Sequence, residues 1–293
     1  MMKNTIPSVF EGGLVLPTYS RPELLKNCLQ TIYGANNSYK IAKIIILQLG
    51  NYEVEKLVYE FNNRQTFIIP VIRTGTTPLY NINYNWLLGA SFGFEVLNLP
   101  WIMSLEEDSI VKSNFINFTI EMTTKFSLDK KFRGVNLSTK LIDTRNIGTY
   151  SLLRSAMMGT GSTIILKDWN RLKKLGVKKR LSKYPWDVFT ETYWKTGFRA
   201  TPNISMVMNF GWIGGTHSSP IQGKQQKLNY SSFNIPDFTE NFQLKNVDFG
   251  WTKDSKVYKP RHNILYNFRF ILWLIFDNKL LKPIYKRIVH YFY

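Results

Sequence analysis

The chain has 293 residues, 44% of them hydrophobic, which is enough to bury one large core. Its 38 lysines and arginines against 20 acidic residues give a formal net charge of +18, and a field that positive calls for an anionic partner: a nucleotide, a nucleic acid or a membrane surface. None of the sequence signatures of the common nucleic-acid modules is present, so nucleic acid is not the expected partner.

The first residues, MMKNTIPSVFEGG, lack a basic region followed by an apolar run, so no secretory signal is expected. Residues 13–19 (GLVLPTY) read as a short buried strand ending beside a proline. Residues 21–34 (RPELLKNCLQTIYG) carry apolar side chains at helical spacing, with Pro22 near the start where proline is tolerated. This helix holds the single cysteine, Cys28, which excludes an internal disulfide, fits a reducing compartment and reads as a buried inert thiol. A second strand (42–50) and helix (52–63) follow, then a third strand (66–75), a third helix (81–97) and a fourth strand (100–109) that runs into acidic residues. Alternation of this kind, with continuously apolar strands, predicts a mostly parallel α/β sheet with helices on both faces. Ligands of such sheets bind beyond the carboxyl ends of the strands, where LPTYSRP and LEEDS both fall.

The second half is less regular. Residues 132–138 and 155–166 read as strand segments around a loop, 167–176 as a helix closed by Gly176, and 184–197 as a short aromatic helix. Residues 200–211 read as an extended segment before the glycine-rich WIGGTHSSP (212–220). Residues 221–262 are polar and loop-rich. Residues 263–293 form a basic, aromatic tail whose longest apolar stretch is interrupted by Asn267 and Arg269 and is shorter than the roughly 20 residues that span a bilayer. The tail suits a segment lying in an anionic membrane interface; the other reading is a pair of helices packed on the domain. The three histidines, His217, His262 and His290, are too scattered for a zinc site.

Chemistry concentrates at a few places. Glu106, Glu107 and Asp108 end an apolar strand, and Mg²⁺ or Mn²⁺ bridging a diphosphate takes one or two protein carboxylates plus phosphate oxygens. The alternative is a solvated acidic turn. Asp187, in Tyr-Pro-Trp-Asp, could be a general base raised by apolar neighbours, or simply the cap of the helix after it. The glycine-rich loop through Thr216 and His217 offers backbone N–H groups that could fold over a phosphate, and Gly159-Thr160-Gly161 could let substrate approach the backbone or be a plain turn.

In order along the chain stand Pro-Thr-Tyr-Ser-Arg-Pro, Tyr-Asn-Trp-Leu-Leu-Gly, Glu-Glu-Asp, Gly-x-Gly, Trp-Asp and Asn-Ile-Ser…Asn-Phe-Gly…Gly-Thr-His. Over about residues 13–220 this set resembles the GT-A glycosyltransferases, and within them the N-acetylglucosaminyltransferase I type. The middle residue of the acidic motif is Glu where that family has Asp, and Leu49 stands where it has an acidic contact to uracil. The resemblance implies Asp108 as the direct ligand of Mn²⁺ or Mg²⁺, with Glu106 and Glu107 near the sugar and ribose. It implies Asp187 as the base on the acceptor hydroxyl, and Thr216 and His217 on a loop over the nucleotide. Pro17, Thr18, Tyr19, Arg21 and Gly161 complete the expected nucleotide-sugar site.

The resulting expectation is an inverting, metal-dependent transferase. It would move a sugar from a nucleotide-sugar donor, a UDP-linked one such as UDP-N-acetylglucosamine, to a glycan or lipid-linked saccharide. The expected organisation is a GT-A domain over 1–262, with its nucleotide part at about 13–109 and its acceptor part at about 110–220, followed by the tail at 263–293. The expected location is the cytoplasm, peripheral on the inner face of the membrane. The alternative is a non-catalytic glycan- or nucleotide-binding protein of the same fold at a membrane surface.

Overall fold

The computed structural model describes residues 10–72, 78–138, 150–153, 160–174, 197–202 and 205–209. The sequence readings on 184–197 (except Gly197), on 212–262 and on the tail lie outside these residues, and with them Asp187, Thr216 and His217. In chain order the first elements are β1 (Gly12–Thr18), α1 (Pro22–Tyr33), β2 (Ile41–Gln48), α2 (Tyr52–Glu60), β3 (Thr66–Val71), α3 (Pro78–Ser91) and β4 (Trp101–Ser104). After them come β5 (Ser109–Val111), α4 (Phe115–Lys125), β6 (Phe132–Val135), β7 (Tyr150–Leu153), β8 (Ser162–Ile165), α5 (Leu166–Lys174), β9 (Phe198–Pro202) and β10 (Val207–Asn209).

The aliphatic runs in β1 and β2 are buried along nearly their whole length, as expected of parallel strands covered on both faces. The central sheet has the order β3-β2-β1-β4-β8. Its first four strands are parallel, and β8 closes the sheet antiparallel to β4, from Trp101 opposite Ile165 to Ser104 opposite Ser162. From β1 the chain builds outward through β2 and β3 on one side and resumes with β4 on the other. The connections after β1 and β4 therefore diverge and leave a crevice at their carboxyl ends.

Successive residues of each strand face opposite layers. Leu14, Leu16, Ile45 and Leu47 pack with Leu25, Leu29 and Ile32 of α1 and Val54 and Val58 of α2. Val15, Ile44, Ile46, Ile102 and Ile164 pack with Trp86, Leu87 and Ala90 of α3 and Trp169 and Leu172 of α5. Each large side chain removed from water in this way contributes roughly 1.5–3 kcal/mol. Gly89 lets α3 close on β1, because a Cβ there would lie 2.5 Å from Val15 Cγ1.

Three details differ from the sequence reading. The third helix starts earlier, at Pro78, and its expected C-terminal part is a π-type turn, Phe92–Val96, which supplies Phe94 to the core. The segment 110–131, unassigned by periodicity, holds α4. Its threonines obscure the helix in sequence, yet Thr119 and Thr123 turn their hydroxyls back to the carbonyls of Phe115 and Thr119, each at 2.7 Å. The extended segment expected at 200–211 is two strands in two sheets: β9 lies between β6 and β7, while β10 pairs antiparallel with β5. Among the described residues no helix is long and apolar enough to cross a membrane.

Candidate functional site

The crevice is built from the ends of β1 and β4. Thr18, the last residue of β1, is buried and donates its hydroxyl to Ile46 O of β2 at 3.1 Å; Pro17 before it is half-buried and Tyr19 after it is exposed. Arg21 stands at the N-cap of α1, ahead of Pro22. Past β4, Leu105 N–H donates to Val15 O at 3.0 Å, so the parallel ladder carries on until Glu106. A turn closed by Ser109 N–H on Glu106 O, at 3.0 Å, then holds the three carboxylates.

Two of these carboxylates point inward. Glu107 and Asp108 are each only 4% exposed, and such burial is costly unless the charges are paired. Arg21 pairs them both: its Nε lies 2.9 Å from Glu107 Oε1 and its Nη2 2.8 Å from Asp108 Oδ2. Tyr19 N–H donates to Glu107 Oε2 at 2.5 Å. Burial pushes the Glu107 carboxyl above its ordinary value, against the downward pull of Arg21 and the Tyr19 N–H. Burial draws Arg21 down, but the Glu107 hydrogen bond and the Asp108 charge outweigh it, and its pKa stands raised. Arg21 Nη1 and Asp108 Oδ1 remain buried, each without a hydrogen-bond partner among the described residues.

Glu106 is different. Its side chain is exposed, and Asn209 of β10 donates its amide to Glu106 Oε2. The Glu106 N–H lies 3.3 Å from both Ser109 Oγ and Thr160 Oγ1, and these two hydroxyls are 2.7 Å apart. Gly161 N–H donates to Ser104 O at 2.7 Å, which pins the loop ahead of β8 to the end of β4. The Cys28 thiol reaches Glu106 O at 3.6 Å; fully buried, it is pushed far up by desolvation and is inert.

The structure thus brings Thr18, Tyr19, Arg21, Glu106, Glu107, Asp108 and Gly161 to one edge of the sheet. It adds the side-chain hydroxyls of Ser109 and Thr160, and Asn209, to which sequence reasoning gave no site role. A polar residue closing an apolar strand, Val-Met-Asn, was the available signal for Asn209.

No protein-family model matches the chain, and no curated protein matches it in sequence. Solved structures do match it in shape. Residues 1–349 of TarS from S. aureus align over 80% of this chain and 76% of that one, at 8% identity and a TM-score of 0.50. The mannosyltransferase PcManGT from Pyrobaculum calidifontis, in complex with GDP-Man and Mn²⁺, aligns at 13% identity and a TM-score of 0.41. That alignment covers 57% of this chain and 46% of the mannosyltransferase, so the chain spans about half of that protein's length. The fold is of the GT-A glycosyltransferase kind. The crevice between β1 and β4 is the carboxyl-edge position at which open α/β sheets take their ligands. Among the described residues no group of three or more His, Cys, Asp or Glu could hold a metal ion. The crevice does offer one buried carboxylate oxygen without a hydrogen-bond partner among the described residues, Asp108 Oδ1, which fits a single protein bond to a hard cation completed by phosphate oxygens.

Proposed function

We propose that this protein is an inverting, metal-dependent glycosyltransferase that moves a hexosyl or N-acetylhexosaminyl group from a nucleotide sugar to a glycan or lipid-linked saccharide. The observation that carries this reading is the pair of buried, unpartnered atoms at the crevice, Arg21 Nη1 and Asp108 Oδ1. One is a cationic donor and the other an anionic acceptor, and a diphosphate with its cation answers both. Asp108 would hold Mn²⁺ or Mg²⁺, which offsets charge on the leaving diphosphate. Arg21 binds a phosphate oxygen while keeping Glu107 and Asp108 in place. Glu107, with both oxygens bonded to Arg21 and Tyr19, acts by fixing the end of β1 against the acidic turn. Glu106 accepts hydroxyls of the donor sugar. Asp187 takes the proton of the acceptor hydroxyl, and a single base opposite the leaving group gives one displacement with inversion. Thr216 and His217 approach the nucleotide. The donor we assign is UDP-linked, with UDP-N-acetylglucosamine first, and the tail docks the protein on an anionic membrane. The rival reading, a non-catalytic nucleotide- or glycan-binding protein, draws on the same ion pairs, since Arg21 already compensates the inner carboxylates.

The test is a screen of nucleotide sugars with Mn²⁺ for turnover and for thermal stabilisation. A ligand at a hundred times its Kd adds about 2.7 kcal/mol to the native state. UDP with Mn²⁺ is expected to raise Tm, donor turnover to depend on the metal, and Asp108→Asn to remove most of both. An equal Tm shift in the variant would move the metal elsewhere, and binding without turnover for any donor would favour the rival.

A further inference from the structure

We infer that Asn209 is a positioning residue for the donor sugar: its side-chain amide aims the Glu106 carboxylate into the crevice. This rests on the glycosyltransferase reading above. The acidic turn treats its carboxylates unequally. Glu107 and Asp108 are locked by Arg21 inside the protein, whereas Glu106 is exposed, and an exposed glutamate keeps its rotamer freedom unless something holds it.

The Glu106 backbone is fixed from three directions: by Ser109 at the start of β5, by Thr160 ahead of β8, and by the Cys28 thiol of α1 on its carbonyl. A fixed backbone leaves the side-chain rotamers to be chosen. Asn209 bears on that choice by donating its amide to Oε2. The placement of Asn209 is itself firm. It lies opposite Ser109 in the antiparallel pairing of β10 with β5, while Val207 and Met208 before it are buried. Asparagine is depleted in strands, so its presence at this strand end asks for a reason, and the carboxylate supplies one. An amide donated to one carboxylate oxygen leaves lone pairs on both oxygens for further donors. The ligand that such an oriented acceptor suits is a polyol face, the hydroxyls of a sugar, rather than a phosphate, which it would repel.

The test compares Asn209→Asp, of the same shape but turning the donor into a second negative charge, with Asn209→Ala, which deletes the contact. The probes are UDP for binding and UDP-N-acetylglucosamine, or the nucleotide sugar that the screen returns, for turnover. Both variants are expected to keep the wild-type Tm and UDP affinity. Both are expected to lose roughly ten- to a hundredfold in kcat, the scale for a misplaced group at a reacting centre, with Asp worse than Ala. The double variant Glu106→Gln/Asn209→Asp, in which donor and acceptor trade places, is expected to recover part of the loss of Asn209→Asp. Loss of Tm and UDP affinity in step with kcat, and no recovery in the double variant, would make Asn209 merely structural and overturn the inference. An active wild type whose kcat survives both single substitutions overturns it alone. A wild type that turns over no nucleotide sugar overturns the glycosyltransferase reading and this inference together.

Discussion

Arg21 and Lys43 are both cations drawn out of water, and they are treated in opposite ways. Arg21 meets two carboxylates and stays charged. Lys43, on β2, is 2% exposed, donates to Ser38 O and lies 5.3 Å from the centre of the Tyr33 ring, with no carboxylate paired to it among the described residues. Burial pushes its pKa down to about 8, from an ordinary 10.5. Below about pH 8 folded and unfolded chains both hold this proton, and the folded state bears the full cost of burying the charge. Between about 8 and 10.5 the unfolded chain binds more protons, so Lys43 makes stability rise with pH across that window. The urea midpoint of the wild type should climb from pH 8 to pH 10. Lys43→Met should stand above the wild type at pH 7 and show a flatter climb. Parallel slopes in the two proteins would mean that the ammonium is better solvated than its burial implies.

Among elements, the approach to β8 shows how the site depends on backbone shape. Gly161 has φ +77°, and a Cβ there would lie 2.5 Å from Val207 Cγ1 of β10. Gly50 has φ +103° with nothing within 4 Å of a Cβ. Each left-handed residue costs roughly 1–2 kcal/mol on gaining a side chain, and the overlap at Gly161 adds about 1–3 kcal/mol. Chemical denaturation should therefore find Gly161→Ala the more destabilising of the two by that second amount, and equal losses would show that Val207 simply moves aside. The neighbouring Thr160 bonds the acidic turn, so Gly161→Ala should also slow turnover. The contrast with β1 to β4 explains what could be read from the sequence. Those strands are announced by continuous aliphatic runs and their helices by apolar spacing, so Arg21 and Glu106 to Asp108 could be placed at one sheet edge from the sequence alone. The bracing of that edge could not, because it joins residues far apart in sequence. Arg21 meets Glu107 across 86 positions, Thr160 meets Glu106 across 54, and Asn209 meets Glu106 across 103. Helix α4 hid for another reason: threonine and phenylalanine favour strands locally, and tertiary packing overrides them.

For the whole molecule, the excess of positive charge is the property that most shapes its encounters. Residues 263–293 combine that charge with Trp273 and several tyrosines, and the full chain should pellet with anionic vesicles and leave them in 1 M salt, where the Debye length falls to about 3 Å. A chain ending at Arg261 should stay folded and unbound. Equal pelleting of both, or of neither, would remove the tail from any membrane role. The sheet edge bears on encounters between copies of the chain. Among the described residues β3 is the outer strand of the central sheet, with half-buried Ile68 and Ile69 along it. Leu49 N–H donates to Val71 O, which turns the Val71 backbone groups toward β2 and those of Pro70 outward. The one residue without an N–H thus falls on the open side, and a strand from another molecule meets a gap in the row of donors it would need. An apolar edge that could otherwise recruit its own kind is a poorer template for it, and Pro70 is the residue that stands in the way of sheet growing upon sheet.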